Sequence, residues 1–174
     1  VPGRTGEEEA AKEQVRMPES GEEMAAVAAD ARAKIAKYGY VVVAVFGSET
    51  TVPFAYTVGL TELGEPELML VARIHPSQAK VVLDNLARRV VEDGARFRPG
   101  DVPPDVLHDG YEAMICGPIP AVTVEDYPPG LAGMLYGKQA VRVYQVVCQD
   151  RNHLYPWQDG YDMPSQLYLR GGRG

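Results

Sequence analysis

The chain has 174 residues, a formal net charge of −7, 45% hydrophobic residues and 24% charged residues. This length and apolar content supply one domain with a real core, and the acidic balance leaves no positive field to gather phosphates. Nucleic acid is therefore not an expected partner. Without a signal-peptide core or an apolar run of about 18 residues, no membrane role is expected either. The expectation is a soluble, cytoplasmic protein.

Residues 1–19 are charged and poor in large apolar groups, so burial cannot offset the entropy of ordering them, and they read as a disordered acidic tail. Ser20 and Glu23 match a capping box, and Met24, Val27, Ala28, Ala31, Ile35 and Tyr38 follow at helical spacing. Gly39 suits the left-handed position that closes such a helix. Tyr40 to Phe46 (YVVVAVF) is apolar on both alternating rows and predicts a strand covered on both faces. GSETTVP then turns the chain into a second strand, Phe54 to Leu60, which makes a hairpin.

A turn at residues 62–66 leads to a third strand, Glu67 to Ile74. Pro76 opens a helix with Ala79, Val82, Leu83, Leu86 and Val90 on one stripe and Gly94 at its end, although His75 is an unusual cap. Phe97 to Pro104 reads as a rigid loop. Tyr111 to Cys116 and Ile119 to Val124 read as short strands. Gly130, Gly133 and Gly137 lower helix propensity in the ill-defined segment after Pro128 and Pro129. Ala140 to Val147 is a last strong strand, an aromatic-rich loop covers Asp150 to Tyr161, and residues 170–174 form a flexible end. Consecutive strands with helices at intervals predict a single α+β domain over residues 20–169, a largely antiparallel sheet packed by two main helices.

Several residues invite chemistry. Gln145 shares the alternating row of Val141, Val143 and Val147, so its amide must find partners, either a neighbouring loop's backbone or a ligand. Gly59, near a strand end, marks a close approach of another chain segment or a pocket wall. Glu67 follows Pro66 at the head of an apolar strand. Buried there, it would be an acid or base with a raised pKa; otherwise it is a carboxylate bonded to turn amides or one that stays solvated. Trp157 lies in a crowded loop with Asp150, Tyr155, Asp159 and Tyr161, as a lid on the core or a ligand wall. Cys116 and Cys148 have no framework spacing and read as buried free thiols. His75, His108 and His153 have no metal-ligand spacing, so no metal is expected, and no phosphate loop or dinucleotide motif occurs.

Two functional readings follow. One is a small-molecule site, catalytic or not, with Glu67 or Asp150 as acid/base and Tyr56, Thr57, Tyr111, Gln145 and Trp157 as binding residues. The other is a non-catalytic interaction module that meets a protein partner through the acidic tail and first helix. A flavin site is a weaker third, from the strand carrying Thr57, Gly59 and Leu60; no cofactor is otherwise expected.

The ordered set of Phe54 to Leu60 (FAYTVGL), Pro66 to Leu68 (PEL), Gly94, Phe97 to Gly100 (FRPG), Gly110, Tyr111, Tyr144 to Val146 (YQV), Asp150, Tyr155 to Trp157 (YPW) and Gln166 resembles a bacterial family, domain of unknown function 4262. The likeness runs from about Gly39 to Leu169. It departs from the family pattern at Val147 to Asp150 (VCQD), at Asn152 and His153, and at Gln166 to Leu169 (QLYL). The resemblance implies one compact domain and no established activity or cofactor.

Overall fold

The computed structural model describes residues 21–120 and 126–169. Its elements are α1 (Gly21–Tyr38), β1 (Val41–Val45), β2 (Phe54–Val58), a 3-10 turn (Leu60–Leu63), β3 (Glu67–Val71), α2 (Pro76–Asp93), β4 (Ala113–Cys116), α3 (Gly130–Tyr136) and β5 (Val143–Cys148). The strands form one sheet in the order β1-β2-β3-β5-β4. Three pairings are antiparallel and one, β3 with β5, is parallel, so the mixed α+β fold expected from the strand pattern is the one observed.

Both faces of the sheet are covered, and this is why every residue of β2 and β3 is buried. On one face α2 places Ala79, Val82, Leu83, Leu86, Ala87 and Val90 against Ala55, Leu68, Leu70, Ile115 and Val146. On the other, Ala31 of α1, Leu131 and Ala132 of α3, and Leu169 lie over Tyr56, Val58, Met69, Val71 and Val143. The stripe predicted for α2 is the stripe buried. His75 does cap that helix, its Nδ1 accepting from the Ser77 amide at 3.2 Å, and Gly94 closes it in the left-handed region.

Several boundaries differ from the sequence expectation. The strand expected from Tyr40 to Phe46 is packed on both faces, Val42 and Ala44 on the α2 side and Val41, Val43 and Val45 on the other, but it is an edge strand in which only Val42 is buried. The strand expected through Leu60 ends at Val58, because Gly59 adopts φ +127° and starts the 3-10 turn. The glycine-rich segment folds as α3 despite its low propensity, since Leu131 and Ala132 are buried against the sheet and tertiary contact outweighs the intrinsic cost. Ile119 donates its amide to the Val143 carbonyl without belonging to a strand. The remainder of that expected strand, the Ser20 cap and both expected tails lie outside the described residues.

The sheet's two edges are treated differently. β4 is closed on its outer side by the loop after α2, with Gly100 donating to the Ile115 carbonyl and Ile115 donating to the Asp101 carbonyl, both at 2.8 Å. Among the described residues no backbone hydrogen bond reaches β1 except from β2.

Leu86 is fully buried between α2 and the sheet. Leu86→Ala is expected to lower unfolding free energy by about 2–5 kcal/mol in urea denaturation with an unchanged m-value; a loss below 1 kcal/mol would mean that this packing is not the core.

Candidate functional site

Glu67 opens β3 and is fully buried. Its Oε1 accepts from the amides of Gly59 and Thr61, both at 2.9 Å, and from the Thr61 hydroxyl at 3.1 Å. Its Oε2 accepts from the Thr57 hydroxyl at 2.9 Å, and that hydroxyl oxygen in turn accepts from the Leu68 amide at 2.9 Å. One carboxylate thus gathers the end of β2, the 3-10 turn and the start of β3. Burial pushes its pKa up, the four donors pull it down, and burial prevails, leaving Glu67 at about 7.

Gly59 is part of the same arrangement. A Cβ there would lie 2.5 Å from the Gly39 carbonyl oxygen and 2.9 Å from the Tyr40 Cα, so the close approach is to the segment joining α1 to β1. That crossing leaves no space for a side chain. Tyr56, on the neighbouring position of β2, accepts the Leu131 amide on its hydroxyl oxygen at 3.0 Å and so holds the start of α3. Its own pKa is pushed up to about 12, chiefly by burial, so the phenol stays neutral.

Gln145 is fully buried on β5 and uses both ends of its amide. Nε2 donates to the Leu167 carbonyl at 2.6 Å, and Oε1 accepts from the Leu169 amide at 2.9 Å. The polar partner demanded by an apolar row is the backbone of the C-terminal segment. Gln166 does the reciprocal work at the end of β5: its Oε1 accepts from the Cys148 amide and its Nε2 donates to the Cys148 carbonyl, each at 2.8 Å. The site residues expected from the sequence omit Gln166, and its only signal there is its place in the ordered family pattern.

Asp150 sits beyond β5 and is 2% exposed. Its Oδ1 accepts from the amides of Asn152 and Leu154, and its Oδ2 from the amide of Asp162 at 2.7 Å. Burial would raise its pKa, but these amides and the Arg151 charge outweigh it and hold the carboxyl below the usual aspartate range. Around the same loop Tyr111 stacks on His153 at 4.3 Å, and Trp157 stacks on Tyr155 at 4.9 Å. Cys116 is buried and Cys148 half-buried, and neither forms a disulfide. Burial pushes the Cys148 thiol up to about 12.

The expected site residues therefore form two groups rather than one. Thr57 and Glu67 bond to each other at one end of the sheet, and Tyr56 lies beside them on β2. Asp150, Tyr111 and Trp157 surround the loop at the other end. Glu67 pairs with Val143 at the start of β5, and at about 3.3 Å per residue the run from Val143 to Asp150 spans roughly 20 Å. Glu67 and Asp150 cannot share one substrate atom as acid and base at that separation.

A cleft of about 720 Å³ opens elsewhere, between the end of α1 and the exposed flank of α2, with the start of β1 as its floor. Lys34 and Lys37 come from α1, while Lys80, Asp84, Arg88 and Glu92 come from α2. Lys80 pairs with Asp84, whose other oxygen accepts from the Tyr40 hydroxyl at 2.9 Å. None of the site residues expected from the sequence lines it. The spacing of Lys80, Asp84 and Arg88 shows one helical stripe in the sequence, but their meeting with α1 depends on the tertiary fold.

Among the described residues no group of His, Cys, Asp and Glu could hold a metal ion, and no helix is long and apolar enough to cross a membrane. Fold and geometry define a single α+β domain whose buried polar groups organise its own backbone. The chain belongs to the family described as domain of unknown function DUF4262, whose model matches residues 34–162. No curated protein and no solved structure gives a match.

Glu67 yields a pH prediction. Its folded pKa of about 7 exceeds the ordinary 4.5, so the folded state holds the proton more tightly and stability falls as pH rises between those values. The stability of the native chain minus that of Glu67→Gln is expected to fall by up to about 3 kcal/mol across this window. A difference independent of pH would show that Glu67 does not titrate there. Glu67→Ala, which strands the Gly59 and Thr61 amides, is expected to cost at least about 3 kcal/mol in the same denaturation measurement.

Proposed function

We propose that the chain is a non-catalytic interaction domain that works by strand addition, the outer edge of β1 taking up an extended apolar segment. The observation that carries this reading is the contrast between the two sheet edges. β4 is closed by its own loop, whereas among the described residues the outer backbone of β1 has no partner along five uncharged residues. Open edges are ordinarily protected by lysine, proline or a bulge, and Val41 to Val45 has none of these. α1 and α2 flank this edge on opposite faces, so an added strand would be guided by both, and main-chain bonds would supply the affinity. The first helix singled out from the sequence thus borders the contact through Lys34 and Lys37.

Hydrogen exchange on the protein at micromolar concentration, with an excess of an extended apolar peptide of the sequence Tyr40 to Phe46 added, tests this. The β1 amides that point away from β2 are expected to exchange as slowly as those of β4. Exchange as fast as in the exposed turn at residues 47–51 would refute strand addition.

The small-molecule reading keeps one supporting observation, the cleft itself. Its volume suits a small ligand, and its charged lining, four cationic side chains against Asp84 and Glu92, leans toward an anionic one. A thermal-shift panel of carboxylates and phosphates is expected to raise the melting temperature of the native chain and not that of Arg88→Ala. Equal shifts in both proteins, or none, would reject an anion site in the cleft.

A further inference from the structure

We propose that the segment added to β1 is β1 of a second copy, giving a two-fold dimer with one continuous sheet. This rests on the strand-addition reading above. The stretch from Tyr40 to Phe46, YVVVAVF, reads nearly alike in both directions about Val43. Aromatic meets aromatic, valine meets valine, and Val42 meets Ala44. A two-fold contact requires such self-complementarity, because whatever residue i meets in the second copy must itself meet residue i.

Backbone geometry then selects the register. Along β1 alternate residues bond to β2, and those between them direct their N–H and C=O groups outward. An outward residue must meet an outward residue, so two partners are separated by an even number of positions. Among the registers this permits, the one centred on Val43 pairs all five residues of the strand. It sets Val41 against Val45 of the second copy, Val42 against Ala44, and Val43 against itself. Shifting by one allowed step in either direction leaves part of the strand unpaired.

The flanks fit the same register. Tyr40 falls opposite Phe46, whose ring is 54% exposed in the single chain. Aromatic and β-branched cross-strand pairs stabilise antiparallel ladders. The open edge admits a strand, and the near-palindrome selects a second copy as the occupant.

The test combines native mass spectrometry of the full chain across the micromolar range with cysteine cross-linking. Val43→Cys is a small change at a half-buried position. At a two-fold pair the two Cα atoms would lie about 4.5–5.5 Å apart, within disulfide reach. The native chain is expected to double in mass with concentration, and Val43→Cys to form a covalent dimer in oxidised glutathione. Val41→Cys is expected not to cross-link, since its copies would be several residues apart.

A dimer in which Val41→Cys cross-links and Val43→Cys does not would overturn the register. A dimer that neither variant cross-links would overturn the β1 contact. A monomer at every concentration would overturn self-pairing. In that last case slow exchange of the β1 amides would leave strand addition standing with another occupant, and fast exchange would remove both.

Discussion

A carboxylate with no exposure holds the β2–β3 connection together. Glu67 accepts four hydrogen bonds, and all its donors come from the ten residues before it. Without those bonds the Gly59 and Thr61 amides would be left unpaired near the sheet's centre, at a cost larger than a typical hydrogen bond contributes. The 3-10 turn, the antiparallel register of β2 with β3 and the crossing beside Gly39 all follow from this local arrangement. It is costly to maintain, because burial raises the carboxyl pKa to about 7 and the ionised form is carried against desolvation.

The rest of the sheet relies on the same economy of polar groups. Gln145 and Gln166 act as side-chain substitutes for peptide units and bind the C-terminal segment to β5 and β3. Leu167 also donates its amide to the Val71 carbonyl, so that segment is bonded on both sides. Asp150 plays the corresponding part in the loop beyond β5, where three backbone amides converge on its carboxylate. Polar residues that suggest catalysis when read along the chain are here committed to internal backbone. The β1 edge and the cleft of mixed charge beside it lie outside these internal networks.

This division gives the edge strand its significance. A sheet whose interior strands are covered on both faces has two places left to interact through backbone, and the loop after α2 occupies one of them. β1 keeps the other, bordered by helices on both faces. An apolar edge of this kind either pairs with something or invites aggregation, and its near-symmetric sequence favours a partner of the same kind.

Much of the fold was legible in the sequence because local rules decide it. The helical stripe of Ala79, Leu83, Leu86 and Val90, the glycine stops at Gly39 and Gly94, and the alternating row of Val143 and Gln145 each follow from backbone period and burial. Glu67 was legible as a group that must either titrate or bond to the turn, and Gln145 as an amide in need of a partner. For Gln145 the partner depends on where residues distant in sequence come to lie, and for Glu67, whose donors are local, so does its burial; these the tertiary structure decided. It separated Glu67 from Asp150 by the length of β5, left the doubly covered strand β1 at the edge of the sheet, and folded a glycine-rich segment into α3 against Tyr56. It also brought Lys34 and Lys37 to Arg88. Periodicity reports which face of an element is apolar, but not which neighbour covers it, and edges and clefts are made by neighbours.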